Sequence, residues 1–389
     1  MTPVTPDQLG ALDNGHDEDD LAMRDSVRAF LAEQVRPHVT TWFTEGRLPA
    51  RELARQFGEL GVLGMHLHGY GCAGASASAY GLVCTEIESA DSGLRSLVSV
   101  QGSLAMHALH AYGSQEQRQE WLPPMARGEQ VGCFGLTEAD HGSDPAQMAT
   151  RARKDGADWV LDGSKMWITN GSVADVAIIW ARTDEGVAGF VVPTDTAGFS
   201  ASDVPRKLSL RASVTSEIVL DGVRLPADAM LPDAVGLRAP LGCLTQARLG
   251  IVFGSMGAAR DALTQALEYA RTREQFGSPI AAYQLTQAKL ADCTADYVTG
   301  MLLASHLARL ADAGTLTPQQ VSLGKLNNVR RALDIARQCR TILGANGITA
   351  DYSPMRHALN LETVLTYEGT TEMHTLVVGQ ALTGHQAFR

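Results

Sequence analysis

The spacing of apolar residues changes period twice along these 389 residues, and this double change constrains the fold more than any single motif does. From Leu21 onward, Leu21, Met23, Val27, Phe30, Leu31 and Val35 fall on one face of a helix. Side chains three or four positions apart share a helical face, so the run reads as an amphipathic helix that Pro37 is expected to end. Further helices are expected at 51–60, 76–90, 103–112 and 115–122, with the glycine-rich GYGCAG stretch (69–74) separating two of them. Near residue 131 the period falls to two. VGCFGLTE is short and apolar, as a buried strand is, and TRARKDGADWVLDGSKMWIT alternates about Asp155-Gly156, a hairpin signal. After Pro240 the helical pattern returns in long Ala- and Leu-rich segments, 241–273, 284–313, 317–343 and 371–383, which read as a helical bundle. The expected organisation is a flexible arm (1–20), an N-terminal α-helical domain (21–130), a middle β domain (131–235) and a C-terminal α-helical bundle domain (236–389).

Charge and cysteine usage narrow the function. A net charge of -11 repels phosphate backbones, so nucleic acid is not an expected partner. The six cysteines, Cys72, Cys84, Cys133, Cys243, Cys293 and Cys339, form no C-x-x-C pair and read as reduced buried thiols. The polar, acidic N-terminus lacks the marks of a signal or transit peptide, and no apolar run approaches the ~20 residues that span a bilayer. A soluble cytoplasmic protein with no membrane partner is expected. His66, His68, His107, His110, His357 and His374 suggest no metal geometry, so no metal site is expected.

Four stretches are more specific: CFGLTEADHGSD (133–144), KMWITNG (165–171), ARTREQFGSPIAAYQLTQAKLAD (270–292) and LTYEGTTEMH (365–374). In this order they resemble the acyl-CoA dehydrogenase family. LGVLGMHLHGYGCAGASASAYGL (60–82), DSGLRSLVSVQGSL (91–104) and LSLRASVTSE (208–217) resemble its glutaryl-CoA dehydrogenase branch. The resemblance implies an N-terminal helical domain, a middle β-barrel-like domain and a C-terminal four-helix bundle. It also implies FAD as cofactor, a homotetramer, an acyl-CoA substrate and electron-transfer flavoprotein as acceptor. The implied activity is α,β-dehydrogenation of a thioester, with oxidative decarboxylation of glutaryl-CoA to crotonyl-CoA as the specific case.

The chemistry needs a base for the α-proton and an acceptor for the β-hydride. By resemblance the base is Glu368. The position that supplies it in other relatives, just before Arg248, is here Ala247, which cannot take a proton. Arg95 is implied to meet a distal carboxylate, because a carboxylate entering an apolar pocket must be paired. Ser96, Ser99, Ser143, Arg248, Leu249 and Gly369 are further implied substrate contacts, with Glu88 beside Arg95. The implied flavin contacts are Phe134, Leu136, Thr137, Gly142 and Ser143 on the first segment and Trp167, Ile168 and Thr169 on the second. Arg273, Gln275 and Phe276 are implied to reach the FAD of a neighbouring subunit, and Gln284, Leu343, Gly344, Ala345, Thr370 and Glu372 to complete the site.

Several positions depart from the branch's pattern. Leu249 stands where Tyr is usual, Leu208 where an aromatic is frequent, Ala139 in place of a Pro, and HLHGYG (66–71) brings two histidines. Smaller side chains suit a wider pocket. This motivates an alternative, a natural-product pathway flavoenzyme that decarboxylates and oxidises a bulkier β-keto acid or carrier-bound acyl group, of the epoxyketone-forming type. A flavin-free structural or thioester-binding relative is a further alternative, opposed by the intact WIT, RxQFG and YEGT motifs.

Overall fold

The computed structural model describes residues 2–234 and 236–388. The N-terminal half is helical: α1 (Pro6–Gly10), α2 (Glu18–Phe30), α3 (Arg36–Glu45), α4 (Ala50–Glu59), α5 (Ala77–Ala90), α6 (Ser92–Ser99), α7 (His107–Tyr112) and α8 (Gln115–Ala126). Between α4 and α5 lies a small hairpin, β1 (His68–Gly69) and β2 (Cys72–Ala73). The middle sheet comprises β3 (Gly132–Gly135), β4 (Arg151–Asp155), β5 (Asp158–Thr169), β6 (Val176–Thr183), β7 (Gly186–Pro193), β8 (Phe199–Asp203) and β9 (Thr215–Leu225). The C-terminal half holds α9 (Arg238–Thr272), a two-stranded arm of β10 (Glu274–Gln275) and β11 (Ser278–Pro279), α10 (Gln284–Asp312), α11 (Pro318–Ile342), α12 (Ser353–Thr366) and α13 (Thr371–Thr383).

Three expectations change. Residues 1–20, expected as a flexible arm, carry α1, whose Thr5 and Gln8 form a reciprocal capping box. Asp7 accepts a hydrogen bond from the buried Tyr297 hydroxyl, which docks this segment on α10. Pro37 does not end the first helical run. A π-helical turn at Leu31–Val35 widens the spiral just before it, and Pro37 then sits in the first turn of α3, where its missing N–H is tolerated. A second π turn at Val100–Met106 joins α6 to α7, so the helix expected at 103–112 begins at Ser92.

The hairpin expected about Asp155-Gly156 is present, with β4 and β5 antiparallel and Asp155 opposite Asp158. In the sheet, β3 and then β4 run parallel along one edge of β6, and β7 pairs antiparallel with the other. The described residues form two apolar cores. One lies in the sheet around Leu161, Ile179, Phe190 and Ile218; the other joins the N- and C-terminal helices. Helix α9 runs through the second, buried along Ile251, Val252, Phe253 and Met256. Burial of a side chain the size of Phe253 contributes about 2–3 kcal/mol. Among the described residues, no helix is long and apolar enough to cross a membrane.

Candidate active site

Helix α12 stops at Thr366 and α13 starts at Thr371, so four residues, 367–370, make the turn between them. Glu368 lies in this turn with φ 51, in the left-handed region that a residue with a β-carbon avoids at a cost of ~1–2 kcal/mol. Gly369 follows with φ +98, and a β-carbon there would lie 2.8 Å from His374 Nε2, so the turn both demands glycine's freedom and leaves no room for a side chain. The strain is held by hydrogen bonds to all three successive carbonyls. Arg248 Nε donates to Glu368 O at 2.7 Å, and Lys325 Nζ donates to Tyr367 O and Gly369 O, each at 2.7 Å. Among the described residues the Glu368 N–H has no acceptor.

The Glu368 carboxylate therefore faces Arg95 from α6, Arg248 from α9 and Lys325 from α11. Its Oε2 is buried without a hydrogen-bond partner. Burial raises its proton affinity, and the three cations oppose this without cancelling it, so the carboxyl sits above the ordinary carboxylate range. Burial pulls the Lys325 ammonium down to about 7, with Glu368 resisting.

Arg95 is fully buried, and its partners explain its orientation. Its Nε donates to Glu88 Oε2 at 2.6 Å, and Ser92 Oγ donates to Glu88 Oε1 at 2.8 Å. Its Nη2 donates to the Tyr367 hydroxyl, and the guanidinium lies 5.6 Å from the centre of the Tyr367 ring. Arg95 thus ties α5, α6 and the Glu368 turn together. Yet Nη1 is buried with no partner, and so is Ser99 Oγ one helical turn on. A buried guanidinium N–H without an acceptor is costly, and one more anionic oxygen would complete the set. Gly254 on α9 makes the arrangement possible: a β-carbon there would lie 2.2 Å from Glu88 Oε2.

The two segments expected at the flavin meet in the sheet. Phe134 and Leu136 are buried, and Thr137 O accepts from Met166 N at 2.9 Å, joining the segments directly. Lys165 Nζ, held down to about 8 by burial against the pull of Glu138, donates to Leu136 O and Glu138 Oε1 at 3.1 and 2.8 Å. Glu138 in turn accepts from the Ala149 and Thr150 N–H groups. The pairing of β5 with β9 slips between Lys165 and Ile168, and this bulge turns Trp167 outward with φ 66 and 56% exposure while Ile168 stays buried. Thr169 ends β5 half-buried, and Gly142 and Ser143 are exposed on the loop after β3.

Other expected residues lie apart from this cluster. Arg273, Gln275 and Phe276 stand on the β10–β11 arm, Phe276 98% exposed and Gln284 beyond it at the start of α10. Leu343 is buried where α11 ends, and Gly344 and Ala345 are exposed in a 3-10 turn tied to α9 by Asn346 Nδ2 donating to the Tyr269 hydroxyl at 3.1 Å. Thr370 caps α13 by accepting from Met373 N, and Glu372 in its first turn is exposed. Ser96 and Leu249 are buried, whereas Leu208 is 75% exposed. Among the described residues no group of three or more His, Cys, Asp or Glu side chains is placed to hold a metal.

Lys325, Tyr367 and His374 were missing from the sequence-based site. Lys325 did leave a signal: it falls one turn after Val321 and one turn before Val329, on the buried face of α11, where a lysine is out of place.

Residues 17–129, 133–223 and 234–383 match the family models for the N-terminal, middle and C-terminal domains of acyl-CoA dehydrogenase. The chain is 33% identical over 363 residues to the mitochondrial short-chain specific acyl-CoA dehydrogenase of Bos taurus, covering 92% of this chain and 88% of that one. It superimposes on a crystal structure of glutaryl-CoA dehydrogenase from Mycobacterium smegmatis with a TM-score of 0.98 and 64% identity, over 100% of both chains. A second glutaryl-CoA dehydrogenase structure from Mycobacterium smegmatis, in complex with FADH2, gives a TM-score of 0.98 and 60% identity, again over 100% of both.

Proposed function

The chain belongs to the acyl-CoA dehydrogenase family, and we propose that it oxidises and decarboxylates glutaryl-CoA to crotonyl-CoA, with Glu368 as base and FAD as cofactor. One observation carries the reading. Within a single buried charge cluster, a carboxylate oxygen of Glu368 and a guanidinium nitrogen of Arg95 both lack partners. A base for the α-proton and a receptor for a remote carboxylate are the two groups that a dicarboxylic thioester requires.

The protein's residues divide the work. Arg95 Nη1, with Ser99 Oγ one helical turn on, pairs with the distal carboxylate and fixes the acyl chain. The Glu368 N–H donates to the thioester carbonyl oxygen, which acidifies the α-carbon. Glu368 takes the α-proton; its raised proton affinity matches it to a weak carbon acid near neutral pH. When bound, FAD would supply the acceptor for the hydride that leaves the β-carbon. Arg95 retains the carboxylate until the α,β-double bond is in place, when loss of CO2 leaves an electron pair that delocalises into the thioester. The proton held on Glu368 is then available for return to carbon.

FAD would be held by Phe134, Leu136, Thr137, Trp167, Ile168 and Thr169 from the sheet segments and by Gly142 and Ser143 from the loop after β3. Arg273, Gln275 and Phe276 cover the cofactor of a neighbouring subunit in a homotetramer, and Gln284, Leu343, Gly344, Ala345, Thr370 and Glu372 border it. The exposure of the Trp167 indole and of the Phe276 ring supports this, since apolar surface of that size is seldom left in water. Electron-transfer flavoprotein is the proposed acceptor, and the cytoplasm the proposed compartment.

The test is product analysis of glutaryl-CoA incubated with the purified yellow protein and an electron-accepting dye. Crotonyl-CoA and CO2 in equal amounts are expected. Absence of crotonyl-CoA, with plain acyl-CoAs still oxidised, would overturn the proposed substrate.

A further inference from the structure

Lys325 takes no part in the chemistry proposed for Glu368, yet it lies directly under the turn that holds this glutamate. Lys325 is 2% exposed, and its Nζ lies 5.8 Å from the centre of the Tyr367 ring. Both of its hydrogen bonds go to carbonyls that flank Glu368, those of Tyr367 and Gly369, at 2.7 Å. The residue between them is the one in the left-handed region. A turn of four residues has few other ways to keep a glutamate there, because an unheld residue with a β-carbon relaxes to negative φ. Burying an amine costs several kcal/mol, so its retention beneath this turn calls for a reason beyond packing.

We propose that Lys325 is the positioning residue for the base: it clamps the carbonyls on either side of Glu368 and thereby aims the carboxylate at the substrate's α-carbon. The inference rests on the function proposed above and deepens it. It also has an electrostatic consequence. The charged and titratable groups around Glu368 are Arg95 from α6, Arg248 from α9, Lys325 from α11, and His374 from α13, with Tyr367 adjacent and Glu88 behind Arg95. Below about pH 7 Lys325 carries its charge and favours ionised Glu368. Its removal leaves two cations in place of three, so Glu368 ionises at higher pH.

Two variants of the FAD-loaded enzyme test the clamp. Lys325→Met keeps the stem and removes the donors; Lys325→Gln keeps one donor and no charge. Three readouts apply: kcat and KM per bound FAD across pH, thermal stability, and uptake of deuterium from D2O into the α-position of acetyl-CoA. Acetyl-CoA has no β-hydrogen to lose, so exchange reports proton abstraction alone. Misplacing a reacting group by about 1 Å can cost about 100-fold. Lys325→Met is therefore expected to lose about 100-fold in both kcat and exchange, with KM within about threefold of wild type. Lys325→Gln is expected to fall between, and the acid limb of kcat to move to higher pH in both. Turnover and exchange per FAD within about threefold of wild type, or an unmoved acid limb, in any variant that folds would overturn the proposal. Failure of both variants to fold would do so too, since Lys325 would then be a structural residue. Wild-type protein that neither exchanges nor oxidises any acyl-CoA would count against the function itself and not against the clamp.

Discussion

Glu86 and Glu368 are both set among arginines inside this protein, and they are treated in opposite ways. Glu86 is 1% exposed, and Arg28 and Arg260 each donate two hydrogen bonds to it, at 2.7–3.1 Å. Burial alone would raise its proton affinity, but the two guanidinium groups overcome it and hold the carboxyl at about 2. Glu368 faces three cations, yet its Oε2 has no partner; Arg248 Nε and Lys325 Nζ donate instead to the backbone around it. Burial then prevails and its carboxyl rises above the ordinary range. A carboxylate whose lone pairs are all occupied is a structural strut; one that is desolvated among cations but left unbonded is a base in waiting.

The sharpest break in this comparison is Glu368→Gln. Removing a general base costs about 10²–10⁴-fold, so kcat should fall to that extent while FAD and substrate binding persist. Retention of substantial turnover, measured against bound FAD, would show that Glu368 is not the base. The mirror experiment is Glu86→Gln. Breaking a buried ion pair costs about 3–5 kcal/mol, so urea unfolding should report a loss of that order. Turnover per FAD should stay within about twofold in this variant, and a selective loss of kcat without a loss of stability would erase the distinction between the two sites.

Smaller effects sharpen the contrast. Arg95→Ala should reduce kcat/KM for glutaryl-CoA about 100-fold more than for butyryl-CoA, because only the first substrate brings a carboxylate to Nη1. Equal losses on both would make Arg95 a bridge between helices and nothing more. The pH dependence of stability separates the two glutamates last. Glu86 has a depressed folded value, so its contribution is complete above its ordinary value of 4.5 and is lost as pH falls toward about 2. Glu368 has a raised folded value, so the folded state holds a proton that the unfolded chain releases. Wild-type stability relative to Glu368→Gln should therefore decline as pH rises from 4.5 through the raised value. A difference between the two that stays flat from acid to neutral pH would contradict the raised affinity of Glu368.

Much of the architecture was legible along the chain because local periodicity reports local structure. The switch from helical spacing to alternation near residue 131, and back after Pro240, corresponds to β3 starting at Gly132 and α9 at Arg238. Pro37 misled for a physical reason: a π turn at Leu31–Val35 lets the helix pass a residue that usually ends one. The expected C-terminal helices leave out the segment from Ser353 to Thr366, which is α12 and carries the Glu368 turn at its end. The docking of α1 was hidden because it depends on Tyr297, about 290 residues away in sequence.

The amino-acid sequence by itself determined the order of helical, sheet and helical blocks, the resemblance in motif that singles out Glu368 and Arg95, and the exclusion of Ala247 as an acid or base. These follow from residue identity and from spacing within single elements. Only the tertiary structure decided which nitrogen of Arg95 is spent on Glu88 and which is spare, that Lys325 lies under the Glu368 turn, and that Glu368 Oε2 is buried without a partner. Hydrogen bonds saturate and desolvation depends on every neighbour at once, so whether a buried charge acts as strut or reagent emerges when α5, α6, α9, α11 and the 367–370 turn converge.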